Sequence, residues 1–162
     1  DVPMRSPLIR PFTLEDRSPI LTILDQTSMF TPEEIEVARE LIDAWLFEPG
    51  QKDYILYTAE GENQVLGYVC YGPTPATEGT FDLYWIAVDP RFQREGVGKQ
   101  LLTFTENQVR EANGRLLIIE TSSQEKYAPT RAFYERNNYV LEAHIRDFYR
   151  RGDDRLIYVK RF

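Results

Sequence analysis

The stretch Ile86-Ala-Val-Asp-Pro-Arg-Phe-Gln-Arg-Glu-Gly-Val-Gly-Lys99 decides the fold of this chain. Its first three residues end an apolar run typical of a strand, and apolar residues recur at helical spacing after its last residue. Between them, Gln93, Gly96 and Gly98 form a Gln-x-x-Gly-x-Gly turn. Two glycines let the backbone bend and approach a ligand closely, while the loop N–H groups and the positive end of the helix face one point. The stretch therefore predicts an anion site suited to a pyrophosphate, with added positive charge from Arg94 and Lys99.

Other glycine-bearing turns fit this stretch less well. A dinucleotide-binding fingerprint needs three glycines after an early strand, whereas here two glycines follow three predicted strands. A nucleoside-triphosphate loop needs Ser or Thr after its Gly-Lys pair, but Gly98-Lys99 is followed by Gln100. When the two glycines are considered alone, a strand-to-helix turn with only a structural role remains an alternative interpretation.

Length and charge limit the function classes. The 162 residues, of 19.0 kDa, predict a single domain over residues 1–162. Twenty-six acidic against 19 basic residues give a net charge of −7, which disfavours binding to nucleic acid or to an anionic membrane. A field of that sign mildly favours a cationic partner such as an amine.

Cysteine and histidine are nearly absent. The one cysteine, Cys70, has no internal disulfide partner, so the composition fits a reducing, cytoplasmic setting. Cys70 lies in an apolar run and is expected in the core, and His144, the only histidine, is expected to have a surface or packing role. With these two as the only soft ligands, we expect no metal site. No apolar run is long enough to span a membrane, and residues 1–4 have no apolar signal-peptide core.

The apolar periodicity gives an element order of β-α-α-β-β-β-α-β-α-β-β. Thr31-Pro32-Glu33-Glu34 predicts a capped helix start, and the preceding helix is expected to be interrupted near Pro19. The Leu-Leu-Ile-Ile run within residues 115–121 predicts a strand buried on both faces. The fold class is therefore one α/β domain with a mixed sheet and flanking helices. The predicted strands are residues 8–12, 54–59, 65–71, 81–88 and 115–121, followed by two strands that flank a turn at 152–154. The third predicted helix ends near 113–114, and the fourth spans about 129–137.

Nearly the whole chain resembles the GNAT superfamily of N-acetyltransferases. The element order, the glycine turn after Ile86-Ala87-Val88-Asp89-Pro90 and the later helix Arg131-Ala132-Phe133-Tyr134-Glu135-Arg136 all match. The stretches 120–123 and 146–149 resemble an uncharacterised branch, some of whose members are fused to ligase-type domains. The resemblance implies a GNAT-like acyl-CoA N-acyltransferase fold, with a mostly antiparallel central sheet whose third and fourth long strands splay apart near Ile86.

The resemblance also implies acetyl-CoA as cosubstrate. The backbone of Ile86, Ala87 and Val88 would pair with the pantetheine arm, and an N–H of Val88 or Ile86 would hold the thioester oxyanion. Many relatives bind the cofactor with an asparagine where this chain has Tyr127, so Ser123 or the Tyr127 hydroxyl would have to replace it. The N–H groups that would hold the pyrophosphate belong to residues Gln93, Arg94, Glu95, Gly96, Val97, Gly98 and Lys99.

The implied reaction is direct acetyl transfer to a primary amine in a ternary complex. An alkyl ammonium has a pKa near 10.4, so a general base must remove its proton at neutral pH. Asp82, at a position where protein-lysine-modifying relatives carry glutamate, and Glu120, at the end of the buried strand, are both candidates. Tyr134 would be the general acid for the departing thiolate.

Several questions stay open at this level. The acceptor could be a small amine, or a lysine or N-terminus of a protein; a narrow pocket closed by Met29, Phe30 and Tyr149 would favour the first. Further aromatic candidates for the acceptor pocket are Tyr68, Tyr71 and Tyr84. The resemblance also admits a homodimer formed through the terminal hairpin. A non-catalytic module that senses acyl-CoA and regulates a partner domain is the alternative, since binding requires only the glycine turn.

Overall fold

Seven strands form one sheet in the spatial order β1-β2-β3-β4-β5-β7-β6 in the computed structural model, which describes residues 6–162. The N-terminal residues 1–4, considered above for a signal peptide, lie outside that range. Every pairing is antiparallel except that of β4 with β5, which is parallel because helix α3 crosses over between them. The strands are β1 Leu8–Pro11, β2 Ile55–Gly61, β3 Gln64–Pro73, β4 Thr80–Val88, β5 Leu116–Ser122, β6 Val140–Arg150 and β7 Asp153–Arg161.

Four helices cover the two faces of the sheet. They are α1 Arg17–Gln26, α2 Pro32–Phe47, α3 Val97–Glu111 and α4 Ala128–Arg136. One core joins α1 and α2 to one face, and a second core joins α3 and α4 to the other. No helix in the described part of the chain is long and apolar enough to cross a bilayer. The mixed sheet between two helical layers confirms the predicted fold class.

The predicted helix signals are largely confirmed. The Thr31 hydroxyl accepts a hydrogen bond from the Glu34 N–H at 3.1 Å, and the Glu34 carboxylate accepts one from the Thr31 N–H at 3.0 Å. This reciprocal pair is the capping box that the sequence predicts at the start of α2. Asn138, after α4, has a φ of +70°, a left-handed conformation that asparagine tolerates at a helix end.

Two sequence predictions are wrong in detail. Pro19 does not interrupt the first helix, because it lies in the first turn of α1, where its missing N–H would have no helical partner. A separate 3₁₀ turn, Leu14–Asp16, precedes that helix. The strand β5 is not buried on both faces. Leu117 and Ile119 are buried against α3 and α4, but Glu120 is exposed because its face opens into a cavity.

The sheet opens between β4 and β5. Their parallel pairing runs from Thr80 opposite Leu116 to Leu83 opposite Ile119, and ends there. Beyond Leu83, β4 stays paired with β3 while β5 stays paired with β7. A wedge therefore separates the two halves of the sheet at the carboxyl end of these strands, and this confirms the predicted splay.

Candidate active site

A cavity of about 990 Å³ occupies the wedge between β4 and β5. Its size lies at the upper end of the range for small-molecule sites, roughly 300–1,000 Å³. The anion loop and α4 line one side of it, and the segment between α1 and α2 lines the other. Ligands from both faces of the sheet can therefore meet inside it.

The anion loop, residues 93–99, bends through two left-handed residues. Gly96, which caps the N-terminus of α3, has a φ of +85°, and Arg94 has a φ of +73°. Alternate left-handed residues turn successive N–H groups toward a common point. Glycine adopts this φ without strain, whereas Arg94 adopts it at a cost of roughly 1–2 kcal/mol. Strain of this kind is typical of binding loops.

The loop residues differ in what they face. Five of them line the cavity, while Glu95 is exposed outside it and the Val97 side chain is buried in the core. A methyl group on Gly98 would lie 3.7 Å from Phe133 and 3.8 Å from Val88, at ordinary contact distance. The absence of a side chain at Gly98 thus leaves room between α3, α4 and β4. The five lining residues are Gln93, Arg94, Gly96, Gly98 and Lys99.

The end of β4 forms the floor of the cavity. Ile86, Ala87 and Val88 all line it, and their strand has no partner on the β5 side. Tyr84 is an extra residue in β4, because Cys70 pairs with Trp85 while the next residue of β3 pairs with Leu83. Such a bulge re-aims the side chains that follow it. It leaves Tyr84 exposed at the cavity, and the sequence pattern does not reveal it.

Tyr134, on α4, is only 4 % exposed and lines the cavity. Its ring lies 5.6 Å from that of Phe133 and 5.9 Å from that of Tyr139. Burial raises the pKa of the Tyr134 hydroxyl well above its usual range, so the group stays protonated at any physiological pH. Tyr134 can therefore donate a hydrogen bond into the cavity.

Asp82 and Glu120 lie on the same face of the sheet. Their neighbours Leu83 and Ile119 belong to the core on the α3 and α4 side, so the carboxylates point to the opposite face, toward α1 and α2. The Asp82 carboxylate accepts a hydrogen bond from the Thr74 hydroxyl at 2.6 Å and a longer one from Tyr84 at 3.4 Å. Neutral hydroxyl donors orient this carboxylate.

Glu120 has a different environment. Its carboxylate lies 2.6 Å from the Arg155 guanidinium and accepts a hydrogen bond from the Tyr149 hydroxyl at 2.6 Å. Burial and this bond to Glu120 raise the pKa of Tyr149 above its usual range. An arginine and a tyrosine thus each contact one oxygen of the Glu120 carboxylate and hold it within the protein. The sequence does not predict that Arg155 pairs with Glu120, because no local pattern reveals which residues of distant strands lie opposite each other.

Ser123 and Tyr127 make contacts within the protein. The Ser123 hydroxyl accepts a hydrogen bond from the Asp154 N–H at 2.7 Å, at the start of β7. The Tyr127 hydroxyl lines the cavity and donates to the main-chain oxygen of Met29 at 2.9 Å. Burial raises the pKa of Tyr127 to about 12, so it remains a donor. Tyr127 therefore joins the two sides of the cavity, while Ser123 supports the strand beside it.

The remaining candidates fall outside the cavity. Cys70 is fully buried, and burial raises the pKa of its thiol, which agrees with a core role. His144 lies on the exposed strand β6, where its Nε2 is 2.6 Å from Asp154. Tyr68 and Tyr71 are buried in the two cores rather than placed at the acceptor side.

Known proteins with a similar sequence or fold identify the family of this chain. The family described as an acetyltransferase (GNAT) domain matches residues 52–141. A Desulfovibrio desulfuricans protein, whose crystal structure is assigned to the GNAT family of acetyltransferases, is 46 % identical, with a TM-score of 0.92 and coverage of 96 % of this chain and 99 % of that one. No curated protein matches the sequence.

More distant solved structures share the fold alone. The ribosomal-protein-S18-alanine N-acetyltransferase from Escherichia coli is 17 % identical, with a TM-score of 0.74 and coverage of 96 % of this chain and 93 % of that one. PaiA N-acetyltransferase from Thermoplasma acidophilum, in complex with coenzyme A, is 18 % identical, with a TM-score of 0.74 and coverage of 98 % and 100 %. The family match over more than half of the sequence, with the 46 % identity, settles the family: the chain belongs to the GNAT superfamily of acetyltransferases.

Proposed function

We propose that the protein is an N-acetyltransferase that moves an acetyl group from acetyl-CoA directly to a primary amine. The observation that carries this proposal is the single cavity in which the anion loop, the unpaired end of β4, Tyr134 and Asp82 meet. The loop suits a pyrophosphate, the free edge of β4 suits the amide-bearing pantetheine arm, and the remaining two groups suit proton transfer. The solved CoA complex of a protein with this fold supports acetyl-CoA as cosubstrate.

The cosubstrate would be held by residues on the α3 and α4 side. The N–H groups of residues 93–99 would bind the pyrophosphate, with Arg94 and Lys99 adding charge. Ile86, Ala87 and Val88 would pair with the pantetheine arm, and an N–H among them would bind the thioester oxygen as negative charge develops on it. Gly98 has no side chain, so the space between its backbone, Phe133 and Val88 stays free for the cosubstrate.

We assign the general base to Asp82 in preference to Glu120. Asp82 is held by hydroxyls alone, whereas Glu120 is paired with Arg155 and hydrogen-bonded by Tyr149. Arg155 and Tyr149 hold Glu120 in contacts within the protein, whereas no cation is paired with Asp82 among the described residues. Asp82 would take the amine proton directly or through a water molecule. The neutral amine nitrogen would then bond to the acetyl carbon while the carbon–sulfur bond breaks, and the second proton that the nitrogen loses in forming the amide would pass to the thiolate through solvent.

Tyr134 would act on the departing sulfur. Its hydroxyl is protonated at working pH, because burial raises its pKa. A thiol has a pKa near 8.5, below that of this phenol, so a hydrogen bond from Tyr134 stabilises the thiolate before the proton equilibrates with solvent. The reaction forms an amide and free CoA without a covalent enzyme intermediate, and the buried Cys70 has no part in it. We place the reaction in the cytoplasm, which agrees with the single free cysteine.

The test is release of free CoA from acetyl-CoA across a panel of amines, with Tyr134→Phe alongside. We expect turnover that falls about 10²- to 10³-fold in the variant, the usual loss when one hydrogen-bond donor to developing negative charge is removed. Binding of acetyl-CoA, measured by calorimetry, should be unchanged. Tight binding with no turnover on any amine would overturn catalysis and leave the acyl-CoA-sensing module.

A further inference from the structure

We propose that the acceptor is a small primary amine with one ammonium group on an apolar body, rather than a lysine or N-terminus of a protein. This inference rests on the proposed acetyltransfer and concerns the acceptor side of the same cavity. Three observations carry it: contacts that close that side, its aromatic lining and the state of its charged groups.

A bridge closes the first side of the cavity. The main-chain oxygen of Met29, between α1 and α2, accepts hydrogen bonds from the Tyr127 hydroxyl at 2.9 Å and from the Lys126 ammonium at 3.1 Å. Both donors lie in the 3₁₀ turn that precedes α4. A polypeptide acceptor laid across the wedge would have to break this bridge, whereas a small molecule would fit beneath it.

The β6–β7 hairpin closes a second side. Tyr149 and Arg155, from its two strands, both bind Glu120 on β5 at 2.6 Å. The Phe148 ring lies over the Arg155 guanidinium, 4.9 Å away. These contacts hold the tip of the hairpin against the sheet beside the cavity, where an extended peptide would otherwise find an open groove.

Aromatic side chains line the space that remains. Phe30, from the α1–α2 segment, packs edge-on against Trp85 of β4, with ring centroids 5.0 Å apart. The Tyr84 ring is 5.4 Å from that of Tyr54 and also faces the cavity. Rings of this kind suit an apolar body and attract an ammonium to their faces.

The charges on this side select a monocation. Among the described residues, no Lys, Arg or His lies within ion-pair distance of Asp82, which therefore keeps its full attraction for one ammonium. Glu120 is neutralised by Arg155, and Asp153 by Arg150 at 3.0 Å. Both arginines are thus committed to carboxylates of the protein. Of the other charged residues that line this side, Lys126 donates to the main-chain oxygen of Met29 and Glu34 accepts from the Thr31 N–H.

The experiment compares acceptors at fixed saturating acetyl-CoA. The probes are 2-phenylethylamine, hexylamine, methylamine, spermidine, glycine and a lysine-containing decapeptide. We expect kcat/KM for the first two to exceed that of spermidine, glycine and the peptide by about tenfold or more. Spermidine carries more than one charge, glycine lacks the apolar body, and the peptide does not fit the closed cavity. A peptide with kcat/KM equal to or above the best monoamine would overturn the inference and leave acetyltransfer standing. No turnover on any acceptor would overturn both.

Variants test the aromatic lining separately. Phe30→Leu should raise KM for 2-phenylethylamine several-fold and leave that for methylamine nearly unchanged, because only the larger body reaches the ring. Phe47→Leu, an exposed aromatic at the end of α2, is the matched control and should change neither. Equal changes for both amines in Phe30→Leu would overturn the role of the aromatic lining.

Discussion

The ammonium of Lys160 on β7 and the carboxylate of Glu106 on α3 lie 2.9 Å apart within the core of the protein. Glu106 is 8 % exposed and also accepts a hydrogen bond from the buried Tyr139 hydroxyl at 2.7 Å. Lys160 donates a further bond to the main-chain oxygen of Asn137 at 3.0 Å. The pair therefore ties α3 to β7, the second strand from the edge of the sheet, and to the end of α4.

Breaking that pair should destabilise the protein strongly. Lys160→Met leaves the Glu106 carboxylate buried without its cation, and loss of one partner of a buried pair costs about 3–5 kcal/mol. Urea unfolding followed by circular dichroism measures the change. The control is Glu142→Gln, which removes an exposed partner of Arg161 and should have a far smaller effect. Equal changes in the free energy of unfolding for the two variants would show that the buried pair stabilises the fold no more than the exposed pair does.

Asp82→Asn should lower kcat by about 10²- to 10⁴-fold at neutral pH, because an amide cannot accept the amine proton. Thr74 and Tyr84 can still hydrogen-bond the side-chain oxygen, so the fold and acetyl-CoA affinity should be retained. Steady-state kinetics and calorimetry measure the two effects. Glu120→Gln is the matched comparison, and it should retain more activity since Glu120 is paired with Arg155. The reverse order of losses would transfer the role of base to Glu120.

Asp16 should make stability depend on pH in the acid range. Burial alone would raise its pKa, but hydrogen bonds from Arg10, the Thr13 N–H and Thr58 outweigh burial, and the net pKa is lowered. A carboxyl whose pKa is lower in the folded state stabilises the fold above its unfolded pKa, near 3.9, and loses that contribution as the pH falls through the folded value.

The check on Asp16 is the urea midpoint between pH 7 and pH 3. The midpoint of the parent protein should fall steeply at the acid end, while Asp16→Asn should be less stable at pH 7 and less sensitive to acid. Asp25→Asn, an exposed site on α1, should track the parent protein at every pH. Parallel curves for the parent and Asp16→Asn would disprove a lowered pKa at Asp16.

Gly96→Ala should weaken acetyl-CoA binding through the backbone alone. A methyl group at Gly96 would meet open space, so the cost arises from its φ of +85°, about 1–2 kcal/mol for a residue with a side chain. The loop would relax toward negative φ, and its N–H groups would no longer converge. Calorimetry should show a roughly 5- to 30-fold higher Kd, as that free energy implies. Gly50→Ala, also at φ +85° with open space around it, is the control for stability without a binding effect.

The sequence predicted most of the fold because its signals are local. The capping box at Thr31 and the turn at Gly96 are each complete within a few residues. The failures concern long-range geometry. The burial of β5 on both faces was wrong because periodicity cannot reveal that β4 departs from β5 after Leu83. The Tyr84 bulge depends likewise on how β3 registers against β4.

For the candidate site, the sequence located the anion loop but not the partners of its acids. Asp82 and Glu120 carry the same functional group, and no local pattern distinguishes them. The distinction arises from Thr74 on one side and Arg155 on the other, which the sheet brings in from distant positions. Roles of the site residues stay predictions until the variants above are measured.

The open wedge between β4 and β5 should affect the rates at which backbone amides exchange with solvent. Beyond Leu83, the amide groups of β4 that point away from β3 face the cavity without a β5 partner, so they should exchange with deuterated solvent faster than the amides of β3, which has a strand on both sides. A bound cosubstrate that covers this edge should slow their exchange and raise the melting temperature, since ligand at a hundredfold excess over Kd stabilises a fold by about 2.7 kcal/mol. The end of β4 that lines the cavity would then report, through its rate of amide exchange, whether the cosubstrate is bound.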